Sequence, residues 1–426
     1  MKSCPLIVGL DIGTNKITLS TGNFNAAGQV EIMSVSTVKS KGMERGLISN
    51  LTDVAGMVEE VVRKAEEKLN SRKGAAKAFE MRKFKISSVY TTIGGEHIIG
   101  NNSRSTLNLS NRPVQINRQN TSRLMDTAKF SEASMDREIL HILEQEFIIN
   151  GSQRLKNPIG IFGKNLTLNL HVISCDSSQM NTVIKAVNRA GLDVEGMIFS
   201  GLATSSCVLS EQEKQNGVIL LELGAGVSNV LFFKDGSLFY TSILPQGGND
   251  ITEKIAQHFG IDFAQAEQLK MQYRNLYSEY AQNTDEKIII KKSSSLYESI
   301  KKSELAAIID GQLNCLFKAI TDELNSAQIL GKAKEGIVIA GGMAFMDGII
   351  EKLEEISKTK VTLGIMRGFV SNISGISNTA YSTGVGLVMH ILNKKVKNSE
   401  KSDTIIKWGI LSGLITKIKS IYEDYF

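Results

Sequence analysis

Three apolar runs in this chain break at glycine turns, and two of them carry a carboxylate two residues ahead of the turn. Leu6 to Leu10 leads into Asp11-Ile12-Gly13-Thr14-Asn15-Lys16. Val218 to Leu223 carries Glu222 and leads into Gly224-Ala225-Gly226-Val227-Ser228-Asn229. Gly336 to Ala340 breaks at Gly341-Gly342-Met343. Glycine lets a backbone approach a phosphate chain or a ribose closely, with successive N–H groups aimed at the anion oxygens. Asp11, at a strand end, is placed to hold water on a magnesium ion bridging phosphates, and Lys16 to offset phosphate charge. None of the turns matches a Walker loop or a dinucleotide fingerprint. A single such turn equally well just closes a hairpin. Three in parallel settings point to the phosphate reading.

The elements that must carry these turns repeat. After the first turn, Ile17 to Thr21 and Val30 to Val35 read as strands around the turn Asn25 to Gly28. Val54, Met57, Val58, Val61, Val62, Ala65 and Leu69 then share one helical face. After the second turn come Val230 to Phe233, the turn Lys234-Asp235-Gly236, Leu238 to Ile243, and a helix over Ile251 to His258 that succeeds Gly247-Gly248-Asn249. This self-similarity predicts two related α/β domains facing each other, with the ligand between them. Arg82 to Leu170 repeats nothing: strand Lys85 to Thr92, a polar loop, helices over Asn120 to Lys129 and Asp136 to Phe147, and strand Leu166 to Ser174 make a small α+β insert. Farther on, helices are predicted over Ile349 to Ile356 and Tyr381 to Leu392. Asn393 to Thr404, with Lys394, Lys395, Lys397 and Lys401, reads as a flexible tether spanning roughly 20 Å root-mean-square. Beyond it, Trp408, Leu411, Leu414, Ile415, Ile418, Ile421, Tyr422, Tyr425 and Phe426 fall on one half of a helical wheel. Such a helix on a lysine-rich tether suits the headgroup layer of an anionic membrane.

Composition bounds the rest. The chain has 426 residues, 42% hydrophobic and 22% charged, enough for about three domain-sized units. A net charge of +5 is too mild to support nucleic-acid binding. Cys4, Cys175, Cys207 and Cys315 have no paired spacing, so neither a zinc site nor a disulfide framework is expected, and a reducing cytoplasm fits. The histidines, His97, His141, His171, His258 and His390, show no metal spacing and read as structural. Pro5 to Leu10 is too short for a signal-peptide core, which predicts no export, and no window offers the roughly 18 apolar residues of a membrane span.

The turns as a set resemble those of the actin-like ATPases, and the chain resembles in particular the FtsA family of bacterial cell-division proteins. Asp11 to Lys16 is similar to the first phosphate loop, Glu222 to Asn229 to the second, and Ile339 to Met343 to the adenosine loop. Gly247-Gly248-Asn249 and Tyr381 to Gly386 fall where that superfamily has matching signatures. Glu267 and Lys270 resemble the pair that reaches the ribose and the adenine edge. Met135 to His141 with Gln145-Glu146-Phe147, then Asn157-Pro158-Ile159-Gly160, resemble the family's 1C subdomain, which actin and Hsp70 lack.

The resemblance implies an α/β, actin-like two-domain fold of duplicated RNase H-like domains, with an inserted α+β 1C subdomain and a C-terminal amphipathic helix. Its implied divisions are 1A at 1–84 with 170–195 and 379–392, 1C at 85–169, 2A at 196–244 with 312–378, 2B at 245–311, a basic linker at 393–407 and the membrane helix at 408–426. It implies binding of ATP and Mg2+ through Asp11, Gly13, Thr14, Asn15, Lys16, Gly224, Ala225, Gly226, Val227, Ser228, Asn229, Gly247, Gly248, Glu267, Lys270, Gly341, Gly342 and Met343. The metal is reached through water at Asp11, and Asp11 and Glu222 are the catalytic candidates. Implied partners are a second copy, in head-to-tail filaments through 1C and 2B, the C-terminal peptide of the tubulin-like protein FtsZ, anionic lipids and later divisome proteins. Lys301 and Lys302 are the candidates for gripping the FtsZ peptide, although the run Lys287, Lys291, Lys292, Lys301 and Lys302 also reads as a solvated face. The implied location is the cytoplasmic face of the cell membrane at the division site.

Departures from the family pattern concentrate in the second phosphate loop. Glu222 stands for Asp, Ala225 for Gly, Val227 for Thr and Asn229 for Asp, while Ser200-Gly201 replaces Glu-Pro and Gly311-Gln312 replaces Pro-Arg. Glu222 displaces its carboxylate by one methylene, and a misplacement near 1 Å can cost about 100-fold in rate. Nucleotide binding with slow or absent hydrolysis is expected. The alternative is a metabolite kinase of the same superfamily, which needs a carboxylate base beside a hydroxyl substrate and no tail. An Hsp70-like chaperone would need a separate peptide-binding domain.

Overall fold

The computed structural model describes residues 6–71, 84–272, 286–292, 297–373, 375–376 and 379–400. Trp408 through Phe426, and with them the expected membrane helix, lie outside the described residues.

The first half opens with β1 (Ile7–Ile12), β2 (Lys16–Phe24) and β3 (Val30–Lys39), then a short hairpin of β4 (Met43–Glu44) and β5 (Leu47–Ile48), α1 (Leu51–Ser71) and β6 (Ser88–Ile93). The insert contains β7 (Ile99–Asn108), β8 (Val114–Gln115), α2 (Arg118–Ser131), β9 (Arg137–Ile149), β10 (Gln153–Leu155), β11 (Phe162–Gly163) and β12 (Asn165–Asp176). The chain returns through α3 (Ser177–Arg189) and β13 (Asp193–Phe199), and α4 (Ser200–Val208) leads across. The second half has α5 (Glu211–Asn216), β14 (Val218–Leu223), β15 (Ser228–Lys234), β16 (Ser237–Leu244), α6 (Gly248–Phe259), α7 (Phe263–Gln272), β17 (Lys287–Lys291), β18 (Tyr297–Lys301), α8 (Lys302–Ser326), β19 (Ile337–Ala340), α9 (Ile349–Ser357) and β20 (Val361–Leu363). Last comes α10 (Ser382–Glu400).

The two main sheets are copies in topology. Their orders are β3-β2-β1-β6-β13 and β16-β15-β14-β19-β20. In both, the opening strand pairs antiparallel with the next strand on one side and parallel with a later strand on the other. A strand covered on both faces reads as an apolar run, and β14, VILLEL, is buried at every residue. The apolar stripe of α1 packs Val54, Val58 and Val61 against Leu10, Ile17 and Leu19 of the first sheet. A further core joins the halves, with Phe199, Leu202 and Cys207 from the α4 region and Val385, Leu387 and Val388 from α10 against strands of both sheets. There α10 crosses α4 backbone to backbone: a Cβ on Gly386 would lie 2.1 Å from the Ala203 carbonyl oxygen. Among the described residues no helix is long and apolar enough to cross a membrane.

Three expectations are corrected. Asp136 to Phe147 is not a helix, because β9 runs Arg137–Ile149 in the interior of a sheet ordered β10-β9-β12-β7. Its dense Ile, Leu and Phe content suits either period, and antiparallel pairing with β12 along its length decides for strand. Second, β6 falls inside the span expected for the insert, yet it pairs with β1 and β13 in the first sheet. Third, the tether does not begin at Asn393, since α10 continues to Glu400. No Gly or Pro interrupts Asn393 to Glu400, Leu392 ahead of it is fully buried, and the Lys395 ammonium lies 5.5 Å from the centre of the Tyr90 ring.

The insert also reaches the second half. His171 joins Thr241 through Nε2 at 3.0 Å, Gln145 donates to the Leu238 carbonyl at 3.0 Å, and Asn102 to the Phe239 carbonyl at 2.9 Å.

Candidate functional site

The two opening hairpins turn in the same way. Gly13 N donates to Lys16 O at 3.1 Å and Gly224 N to Val227 O at 3.0 Å. A Cβ would lie 2.9 Å from the acceptor at Gly13 and 2.7 Å at Gly224, so only glycine closes either turn without a shift. The register sets Asp11 opposite Thr18 and Glu222 opposite Asn229. Asp11 and Glu222 therefore occupy one position in two copies.

The turns meet at the seam between the halves. A Cβ on Gly226 would stand 2.7 Å from Thr14 Oγ1 and 2.8 Å from Arg45 Cα. Gly248 N donates to Gly224 O at 3.0 Å and Asn249 N to Ala225 O at 2.7 Å, which binds the start of α6 to the second turn. Ser228 donates to the Gln246 carbonyl at 2.8 Å and strengthens that junction. Gly341, at φ 90°, passes so close that a Cβ would lie 2.4 Å from Leu223 O. Gly248 in turn faces Met343 and the Lys270 ammonium at 3.3 Å. Gly13, Thr14, Gly224, Ala225, Gly226, Gly247, Gly248, Lys270, Gly341 and Met343 thus form one continuous lining. Gly342 has open space where a Cβ would project, and the Asn15 side chain is exposed while its carbonyl accepts from Ser40 N at 2.9 Å.

The charges at this seam hold one another. Burial pushes the Asp11 carboxyl up to about 6; the Thr92 hydroxyl, donating at 2.7 Å, opposes the shift, Glu222 adds to it and Lys16 lowers it. Burial pulls the Lys16 ammonium below its ordinary range, with Asp11 opposing. Lys16 donates to the Ala380 carbonyl and stands 4.6 Å from the centre of the Tyr381 ring, so the residues just ahead of α10 take part in the site. Among the described residues no group of three or more His, Cys, Asp or Glu could hold an ion directly. Asp11 is the carboxylate at this seam that could reach a metal, through water.

Glu222 is buried, and both of its oxygens accept hydrogen bonds. Its Oε1 accepts from Thr204 and Thr383, each at 2.6 Å, and its Oε2 accepts from Asn229 Nδ2 at 2.6 Å. Thr204 lies on α4 and Thr383 on α10, so this carboxylate fastens the two crossing helices to the second sheet. Lys270 is similarly committed: it donates to Glu267 at 2.7 Å, and to Gly248 O and Thr252 Oγ1 at 2.8 Å each. Burial lowers its pKa and Glu267 opposes. Lys301 and Lys302 lie elsewhere, at the β18 to α8 junction, where Lys302 pairs with Glu286 and Lys301 faces Lys287 across the ladder.

Sequence reasoning missed Arg45, Thr92, Thr204, Thr252 and Thr383. It also missed Gly94-Gly95, which comes after β6 as Gly341-Gly342 comes after β19. Laying the two halves over one another would have found that fourth turn.

Two sheets of one order, each opening on the same glycine hairpin and facing the other across a glycine-lined seam, define the actin-like fold. A solved PilM-PilN type IV pilus biogenesis complex shares it, with a TM-score of 0.64 at 14% identity, covering 91% of this chain and 98% of that one. The family model for cell division protein FtsA matches residues 219–386, and that for the SHS2 domain inserted in FtsA matches 95–174. The FtsA proteins of Borreliella burgdorferi and Pseudomonas aeruginosa are 30% and 28% identical, over 90% and 93% of this chain and 90% and 91% of their own lengths. That of Escherichia coli is 28% identical over 90% of this chain and 89% of its own. The chain belongs to the FtsA family of cell-division proteins.

Proposed function

We propose that this chain binds ATP with Mg2+ at the seam between its halves and hydrolyses it slowly or not at all. In this reading it assembles head to tail through the insert and the 245–311 segment. It anchors FtsZ to the cytoplasmic face of the cell membrane by its terminal helix and helps recruit later divisome proteins. The observation that carries the reading is the convergence of three glycine turns, at Thr14, Gly226 and Gly341, with the start of α6 at Gly247, where the backbones approach too closely for a Cβ at any of the three glycines. Asp11, half-buried and raised toward neutrality, would ionise beside a magnesium ion and orient its water. ATP would supply the negative charge of its phosphate chain, and the backbone N–H groups of the turns and Lys16 are the groups that would answer it.

Slow turnover is expected because Glu222 is buried and held by three side-chain donors, two on Oε1 and one on Oε2, which commits it to bracing α4 and α10 against the second sheet. The same commitment disfavours the metabolite-kinase reading. Membrane anchoring by one helix is weak, and a filament raises avidity by about 10² to 10⁴ without new contacts.

Equilibrium binding of ATP with and without magnesium, alongside liposome pelleting, tests the reading. The wild-type chain should bind ATP and pellet with anionic vesicles. Replacing Trp408 and Leu411 with Glu should abolish pelleting and leave ATP binding unchanged. Fast magnesium-dependent hydrolysis, or pelleting by the doubly charged variant, would refute the corresponding part.

A further inference from the structure

The hairpin between β4 and β5 turns through Arg45 and Gly46, at φ 46° and 79°. A two-residue turn with both φ positive favours Asn, Asp or Gly at its first position, and an arginine there carries a steric cost that persists only where the surroundings impose it. Those surroundings are the phosphate turns. Gly46 N donates to Thr14 Oγ1 at 3.0 Å, and Arg45 Cα stands 2.8 Å from where a Gly226 Cβ would be. The backbone of Arg45 is thus wedged where the first and second turns meet. Its side chain then leaves the first half altogether. The guanidinium donates to the Pro245 carbonyl at 2.9 Å and pairs with Asp250 Oδ1 at 3.2 Å. The other Asp250 oxygen accepts from Gly247 N at 2.6 Å, at the head of α6.

We propose that Arg45 is the terminal-phosphate sensor of the seam, pairing with Asp250 when the third phosphate is absent and turning onto that phosphate when it is present. The proposal rests on the nucleotide reading above. Thr14 and Gly226 touch in this structure, so a phosphate chain has to part the two turns to enter, and once there it lies within an arginine side chain's length of Arg45 Cα. The pair it makes now is half exposed, at 46% and 29% for the two side chains, and an ion pair so wetted exchanges readily for a stronger partner. A guanidinium fork fits two phosphate oxygens at once and outcompetes a single carboxylate oxygen. Asp250 keeps its bond to Gly247 N after release, so the head of α6 stays capped. Because Arg45 belongs to the first half and Asp250 to the second, the exchange makes the link between halves along this edge depend on the number of phosphates bound.

The test is the ratio of affinities of the full chain for a non-hydrolysable ATP analogue and for ADP, each with magnesium, measured for wild type, Arg45→Asn and Arg45→Lys. Asn suits the turn, so loss of folding does not confuse the result. Arg45→Asn should weaken the triphosphate by about 10- to 100-fold and ADP by less than about threefold, with Arg45→Lys between them. An unchanged ratio, or equal loss for both nucleotides, overturns the sensor while leaving the nucleotide reading intact. A wild-type chain that takes up neither nucleotide ends both.

Discussion

Asn229→Asp is the sharpest probe of the Glu222 cluster. It replaces the Nδ2 that donates to Glu222 Oε2 at 2.6 Å with a carboxylate oxygen, at a position only 3% exposed. Two carboxylates sharing a buried site cannot both ionise, so the pKa of the new group is pushed up, and holding it neutral at high pH costs about 4 kcal/mol. A raised folded-state pKa means that stability is lost as pH rises. The loss begins near pH 4, where the unfolded carboxyl ionises, and is complete near pH 7. Urea unfolding should therefore show the variant about 4 kcal/mol less stable than wild type at pH 8 and about 1.5 kcal/mol less at pH 5. Adding Glu222→Gln reverses the polarity of the pair: the Gln oxygen still accepts from Thr204 and Thr383, and its amide donates to the introduced carboxylate. The double variant should recover to within about 1.5 kcal/mol and lose the pH dependence. Glu222→Gln alone should cost little, because Asn229 can turn over and present its Oδ1, which has no hydrogen-bond partner. A single Asn229→Asp variant as stable as wild type at pH 8, or a double variant no better than the single, would refute the account.

Two further outcomes are expected. Asp11→Asn removes a carboxyl raised from 3.8 to about 6, so it should stabilise the chain by about 3 kcal/mol at pH 8, shrinking to about 1 kcal/mol near pH 4.5 in thermal or urea unfolding. It should also remove the magnesium-dependent part of ATP affinity. Gly341→Ala places a Cβ 2.4 Å from the Leu223 carbonyl at a positive φ and should cost about 3 kcal/mol, whereas Gly342→Ala, with nothing within 4 Å, should cost under about 0.5 kcal/mol by the same measurement.

Much of this architecture was legible because it is written twice. Apolar runs ending in glycine turns locate β1, β14 and β19, and the matching order of strands and helices after β1 and after β14 gives the paired sheets. Local pattern failed where tertiary pairing decides, as in β9, whose residues fit a helix equally well until β12 claims them. It failed again past Asn393, where lysines suggested a solvated tether but no residue stops the helix. In the candidate site the carboxylates and glycines were visible, and their partners were not. Thr204 and Thr383 lie 18 and 161 residues from Glu222, and no local signal marks a threonine that will meet a carboxylate across the fold. Arg45 was hidden for the same reason, 205 residues from Asp250.

The position of α10 gives the fold a mechanical property. Its 19 residues make a rod about 28 Å long. One end carries Thr383 on Glu222, with Lys16 held by the residues just ahead of it, and the other ends at Glu400. Between them Gly386 rests on the Ala203 backbone with no side chain to cushion it. A tilt of about 5° there would carry the far end about 2 Å, along an arm of about 21 Å. If the halves shift against each other, α10 is the element that would carry the shift from Glu222 toward Glu400.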